Sequence, residues 1–183
     1  MSRITSACAV RSVTAVTGVL AVLAAYLLSA APIAARELNK AGVFDYFTLS
    51  LSWSPTYCGS PAGTDDHQQC SPGRRYAFVV HGLWPQYERG WPESCATRET
   101  WVDQKIIDSM LDIMPSKKLI IHEWKKHGSC AGVSVADYFR ATRLLFKRVR
   151  IPARYLSPTD TIMTTPEQLV TDFVKTNRNL SAD

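Results

Sequence analysis

The sequence has 183 residues, 46% of them hydrophobic and 20% charged, with a net charge of +5. That length suits one domain, and that balance excludes a disordered or a fibrous chain. The first segment is set apart: Arg3 and Arg11 precede an uncharged apolar run of sixteen residues, Val13 to Leu28, and small residues follow at Ala30, Ala31, Ala34 and Ala35. This is the pattern of an export signal, residues 1–35, and the run is short for a bilayer span. Without it the domain is residues 36–183, and loss of Arg3 and Arg11 takes the net charge from +5 to +3. That charge is too weak to establish nucleic-acid binding. The locally basic stretch Arg140, Arg143, Lys147, Arg148, Arg150, Arg154 reads first as a solvated helix face, compatible with a polyanion.

In chain order, Tyr46 to Trp53 alternates apolar and small polar residues as a half-buried strand does. A Pro/Gly/Ser-rich loop is expected from Pro55 to Gly73, then a second strand from Tyr76 to His81. Gly82 to Arg98, with Pro85, Gly90 and Pro92, is expected to be irregular. Glu99 to Met114 has helical spacing and is stopped by Pro115, while Leu119 to His127 suits a helix capped by Gly128 or a buried strand end. Helices are expected at Val135 to Val149, capped by Ser134, and at Pro166 to Thr176, with Thr165 as cap and Gln168 as capping-box partner. Two strands and several helices predict an α+β domain, helices on one side of a mainly antiparallel sheet. The chain stops at Ser181, Ala182 and Asp183 without a closing strand, so further C-terminal strands are expected to be missing.

Cys8 leaves with the signal, and the even set Cys58, Cys70, Cys95 and Cys130 in an exported protein reads as two disulfides in one of three connectivities. Spacings of 12, 25 and 35 residues contain no C-x-x-C pair, against a zinc site.

Three of the four histidines lie in two motifs, VVHGLWPQ with His81 and HEWKKHGSC with His122 and His127. The His122–Glu123 pair first suggests a zinc-protease helix, which needs a second histidine four residues on. That position is Lys126, and His127 would point about 140° away. The spacing instead pairs Glu123 with His127 and His122 with Lys126. Two histidines, a lysine and a carboxylate suit cleavage of a phosphodiester by its own neighbouring hydroxyl. The RNA 2′-OH is already held beside the phosphorus, so the protein need supply only proton transfer and charge stabilisation, one histidine neutral and one charged. His67, in the polar Asp65 to Gln69 loop, is set aside as exposed.

At these residues the sequence resembles the ribonuclease T2 family of secreted, transferase-type ribonucleases. HGLWP (His81 to Pro85), HEWxKHG (His122 to Gly128) with Cys130, and LSWSPTYC (Leu51 to Cys58) carry the resemblance. It implies that His127 takes the 2′-OH proton, that His81 protonates the 5′-oxygen, and that a 2′,3′-cyclic phosphate forms. It also implies that Lys126 and Glu123 stabilise the five-coordinate phosphorus and that His122 holds the phosphate or assists departure. Trp84 would be a base-stacking platform, its alternative role being that of a packed core aromatic. A Cys95–Cys130 disulfide is implied too, leaving Cys58 and Cys70 as the second bridge. Ser129 replaces a more usual threonine, and Gln86 and Trp91 stand where many members carry Asp and Tyr, so base preference does not carry over. The expected protein is a periplasmic or secreted endoribonuclease for single-stranded RNA, with no cofactor, no metal, no membrane in the mature form and no second subunit. The alternative is a fragment that binds RNA or another polyanion without turnover.

Overall fold

In the computed structural model, which describes residues 39–182, the strand β1 (Tyr46–Trp53) pairs antiparallel with β2 (Phe78–Gln86). The proposed signal segment lies outside the described residues. Three short helices follow β1: α1 (Ser54–Cys58), α2 (Pro61–Thr64) and α3 (His67–Cys70). After β2 come α4 (Gln104–Met110), α5 (Lys117–Lys126), a single 3-10 turn at Gly128–Cys130, α6 (Val135–Arg148), a second such turn at Ala153–Tyr155, and α7 (Pro166–Thr176). The α+β architecture agrees with the expectation, with a two-stranded sheet among the described residues.

The sheet is short but its register is specific. Ser50 faces Gly82 and Leu51 faces Val80, so His81 is an extra residue on β2 with no partner on β1. Such a bulge shifts the alternation by one position. Val80 and Leu83, three apart, therefore both enter the core, while His81 and Trp84, also three apart, come together with ring centroids 5.6 Å apart. A regular strand would send residues three apart to opposite faces.

The core lies between the sheet, α4, α5 and α6, with Ile107, Met110, Ile120, Trp124, Tyr138 and Phe139 packed around Val80 and Leu83. Helix α6 buries Val135, Tyr138, Phe139 and Thr142, one apolar stripe at helical spacing. Its Ser134 hydroxyl accepts from the Asp137 N–H at 3.1 Å, as expected of that cap. Arg140, Arg143 and Arg154 of the basic stretch are held by Asp137, Asp112 and Asp172, which suits a solvated face.

Four local expectations are corrected. The Pro55 to Gly73 segment is helical rather than loop, since Pro55 and Pro61 each sit in a first turn, where a missing N–H costs nothing, and Asp66 caps α3 through Gln69 N–H. Strand β2 continues through Pro85 to Gln86; in the two-stranded sheet of the described residues each strand has only one paired edge, and proline is tolerated on the other. The helix expected from Glu99 begins only at Gln104, because the Glu99 carboxylate accepts from Val135 N–H at 2.8 Å and its carbonyl from the Trp124 indole at 2.8 Å. Asp103 caps that helix through Lys105 N–H. At α7, Thr165 accepts from Gln168 N–H as expected, but the Gln168 amide reaches forward to Asp172.

Both disulfides form, Cys58–Cys70 and Cys95–Cys130. The second closes a 35-residue span and joins the segment after β2 to the 3-10 turn that follows α5. Loop-closure entropy for a span of that size is worth about 4 kcal/mol. A Cys95→Ser/Cys130→Ser double variant should lose about 2–4 kcal/mol in urea denaturation; an unchanged midpoint would contradict this role.

Candidate active site

Two elements supply the motif residues. His81 and Trp84 stand on β2; His122, Glu123 and Lys126 stand on α5, and His127 caps its C-terminus with φ −116°. The link between them is Glu123, whose side chain is 1% exposed. Its Oε2 accepts from the Trp84 indole Nε1 at 2.6 Å, and its Oε1 lies 3.5 Å from His81 Nε2. The His81 Nδ1 is 2.9 Å from Ser52 Oγ on β1. The Trp84 ring lies 5.1 Å from that of His127 at 31°, so one indole touches both histidines.

The i, i+4 pairing of Glu123 with His127 is not made by their side chains. The Glu123 carboxylate turns across to β2, and His127 Nδ1 is buried with no hydrogen-bond partner. Only the backbone bond from His127 N–H to Glu123 C=O, 3.0 Å, joins them, because His127 leaves helical geometry at the cap. His122 is exposed and lines a cavity of about 830 Å³ together with His81, Ser52, Leu119 and the Asp65 to Gln69 side. His67, which the sequence sets aside, is exposed as expected yet lines the same cavity. Lys126 faces Glu93 at 3.8 Å, a half-exposed pair worth little by itself.

Two glycines let these parts approach. A Cβ at Gly82 would stand 2.0 Å from Glu123 Oε2 and 2.5 Å from Trp84 Nε1. At Gly128 it would stand 2.5 Å from the Trp124 ring. Tyr138 adds a second tie between helix and strand, its hydroxyl donating to Leu83 C=O at 2.8 Å between His81 and Trp84.

Burial shapes the charges. It pushes the Glu123 carboxyl up to about 7, against the pull of the Trp84 hydrogen bond and Lys126. It pushes His127 down to about 4, helped by Lys126 and His122. His81 is lowered as well, by burial first and then by His122. His127 is thus a neutral imidazole over most of the pH range, with Nε2 left for chemistry, while Glu123 is a partly protonated acid near neutrality. Among the described residues no three His, Cys, Asp or Glu side chains group as a metal-binding set.

The Ser52 contact and the His81–Glu123 contact escape sequence reasoning. Period-two alternation places Ser52 on a face of β1, but the bulge that brings His81 to it leaves no mark in composition.

Comparison with known proteins bears on what this arrangement is. Residues 44–168 match the model of the Ribonuclease T2 family. A ribonuclease of Aeromonas hydrophila is 43% identical over 122 residues, 66% of this chain and 54% of that protein. A probable ribonuclease of Haemophilus influenzae is 34% identical over 131 residues, 65% of this chain and 48% of its own length. The chain thus spans about half the length of these curated relatives. Among solved structures, RNase NT in complex with 5′-AMP aligns with a TM-score of 0.57 at 27% identity, covering 73% of this chain and 72% of that one. An RNase-related protein from Calystegia sepium gives 0.57 at 28%, covering 73% and 75%.

Two outcomes test the site's construction. Gly82→Ala should break the Trp84–Glu123 hydrogen bond and cost about 1–3 kcal/mol; an unshifted Trp84 indole proton resonance would contradict the close approach. Glu123 has a raised carboxyl, so the stability it contributes is present at low pH and is lost as pH rises through about 7. His127 has the opposite sign, its contribution being present above about 6.5 and lost as pH falls through about 4. Glu123→Gln should therefore gain stability over the parent protein above pH 7, by up to about 3 kcal/mol. A parallel pair of pH–stability curves would contradict the buried carboxyl.

Proposed function

This chain belongs to the ribonuclease T2 family, and on that premise we propose that it is a metal-independent endoribonuclease acting on single-stranded RNA. One observation carries the reading: a single indole, Trp84, touches both His81 and His127 and is anchored to the buried Glu123. Two imidazoles flanking one fixed group suit an acid and a base acting on opposite sides of a phosphorus.

In this mechanism neutral His127 takes the 2′-OH proton as O2′ bonds to phosphorus. Protonated His81 gives a proton to O5′ as the P–O5′ bond breaks, leaving a 2′,3′-cyclic phosphate and a 5′-hydroxyl. Each step of positioned proton transfer is worth about 10²- to 10⁴-fold. The depressed His127 supports its role as the base. The raised Glu123 supports a role that an ionised carboxylate could not fill: while protonated it donates a hydrogen bond to a phosphoryl oxygen instead of repelling it. Lys126 supplies positive charge to the same phosphorane, and His122, beside His81 in the cavity, holds the phosphate. The partly buried Trp84 ring offers a base a surface on which to lie. The two disulfides support an oxidising compartment, periplasmic or extracellular, for a monomeric mature chain.

His81→Ala or His127→Ala should abolish release of the cyclic phosphate from a short RNA, whereas EDTA should leave release by the parent protein intact. Inhibition by EDTA that zinc or magnesium reverses would sink the mechanism, and a gel shift without cleavage would favour polyanion binding alone. The pH profile has a stated sign. The acid limb of kcat/KM should follow His127 near pH 4 and the alkaline limb should follow His81 below about 6.5, with loss of the Glu123 proton near 7 adding to the fall. An optimum above pH 8 on a dinucleotide substrate contradicts these roles.

A further inference from the structure

We propose that Ser52 is a positioning residue for His81: its hydroxyl holds Nδ1 and so makes Nε2 the nitrogen that delivers the proton to the departing 5′-oxygen. The inference deepens the ribonuclease reading and rests on it. A strand bulge is what brings the two side chains together. His81 has no partner on β1, whereas Ser52 is opposite Val79, and Ser52, Val79 and His81 all line the same cavity. Across that gap Ser52 Oγ and His81 Nδ1 are 2.9 Å apart, a full hydrogen bond.

The ring's two nitrogens thus have unequal surroundings. Nδ1 is turned inward to a hydroxyl on the neighbouring strand, and Nε2 is turned toward Glu123 Oε1 at the looser distance of 3.5 Å. The serine hydroxyl accepts from Nδ1–H in the imidazolium and again in the neutral ring left once Nε2 has given up its proton. It therefore follows His81 through both states of a proton transfer without the ring turning. Glu123 cannot take over this duty, since its other oxygen is committed to Trp84 at 2.6 Å. The other titratable groups that line the cavity with His81 are His122, on the same helix as Glu123, and Tyr57, Asp65, Asp66, His67 and Lys118. None of them is hydrogen-bonded to Nδ1.

The chemistry makes the role separable from a merely structural one. A general acid matters for an alkoxide leaving group and hardly at all for a nitrophenolate, which departs unprotonated. Ser52→Ala should lower kcat on a dinucleotide about tenfold, the worth of one orienting hydrogen bond, with KM kept. On a nucleoside 3′-(4-nitrophenyl phosphate) it should cost less than about twofold. Ser52→Thr, which keeps the hydroxyl and suits a strand, should restore the dinucleotide rate. Ser52→Cys, nearly isosteric but a weak hydrogen-bonder, should behave as the alanine variant and guards against a folding loss. A second readout needs no turnover: nitrogen NMR of His81 in the RNA-free protein should show one neutral tautomer in the parent and a mixture in Ser52→Ala. An equal loss on both esters, no loss on either, or an unchanged tautomer overturns the proposal. Should the parent protein itself fail to cleave RNA, the ribonuclease reading falls while the tautomer result still judges the Ser52 contact.

Discussion

The Glu123 carboxyl, buried between a helix and a strand, is the contact on which the rest of the site depends. It is 1% exposed, and its hydrogen bond to the Trp84 indole joins the two motifs. Removing a carboxylate from water is costly, and the protein meets that cost with one strong donor and by letting the group hold its proton to about pH 7. The geometry of β2 follows from the same contact. Gly82 is where a side chain would collide with it, and the bulge at His81 turns that imidazole toward it.

The core and the site are one construction. Trp124 lies next to Glu123 on α5 and is fully buried, and its indole bonds Glu99, whose carboxylate in turn caps α6. From α6, Tyr138 reaches back to the carbonyl of Leu83, between His81 and Trp84. The Cys95–Cys130 bridge then closes the far side, where Ser94 N–H also meets the carbonyl of Lys126 at 2.8 Å. Each tie fixes either the strand bearing His81 or the helix end bearing His127. Such rigid support holds the two imidazoles in register without a ligand to organise them.

Much of this was legible in the sequence where local physics decides. β1 ends where its alternation ends, and α6 and α7 begin at Ser134 and Thr165 because a side-chain oxygen there takes an orphan N–H. The helical identity of the HEWKKH segment and the participation of His81, Trp84, Glu123 and His127 in one cluster were also within reach. What escaped depends on partners distant in the chain. Glu99 has helical spacing but is drawn to α6; Pro85 punctuates the sequence but lies on a strand with only one paired edge among the described residues. The i, i+4 rule paired Glu123 with His127, whereas a stronger donor on another element, Trp84, took the carboxylate. Ser52 escaped because its meaning depends on a one-residue bulge 29 positions away.

The mechanistic account reduces to one requirement, that the nucleophile belongs to the substrate. The most direct measurement is therefore a DNA oligonucleotide carrying a single ribonucleotide, compared with the same strand carrying 2′-O-methyl at that position. The account predicts one cut, immediately 3′ of the free ribose, with a 2′,3′-cyclic phosphate on the upstream product and no cleavage of the methylated strand. Cleavage of the methylated strand, or of any deoxy linkage, would contradict it.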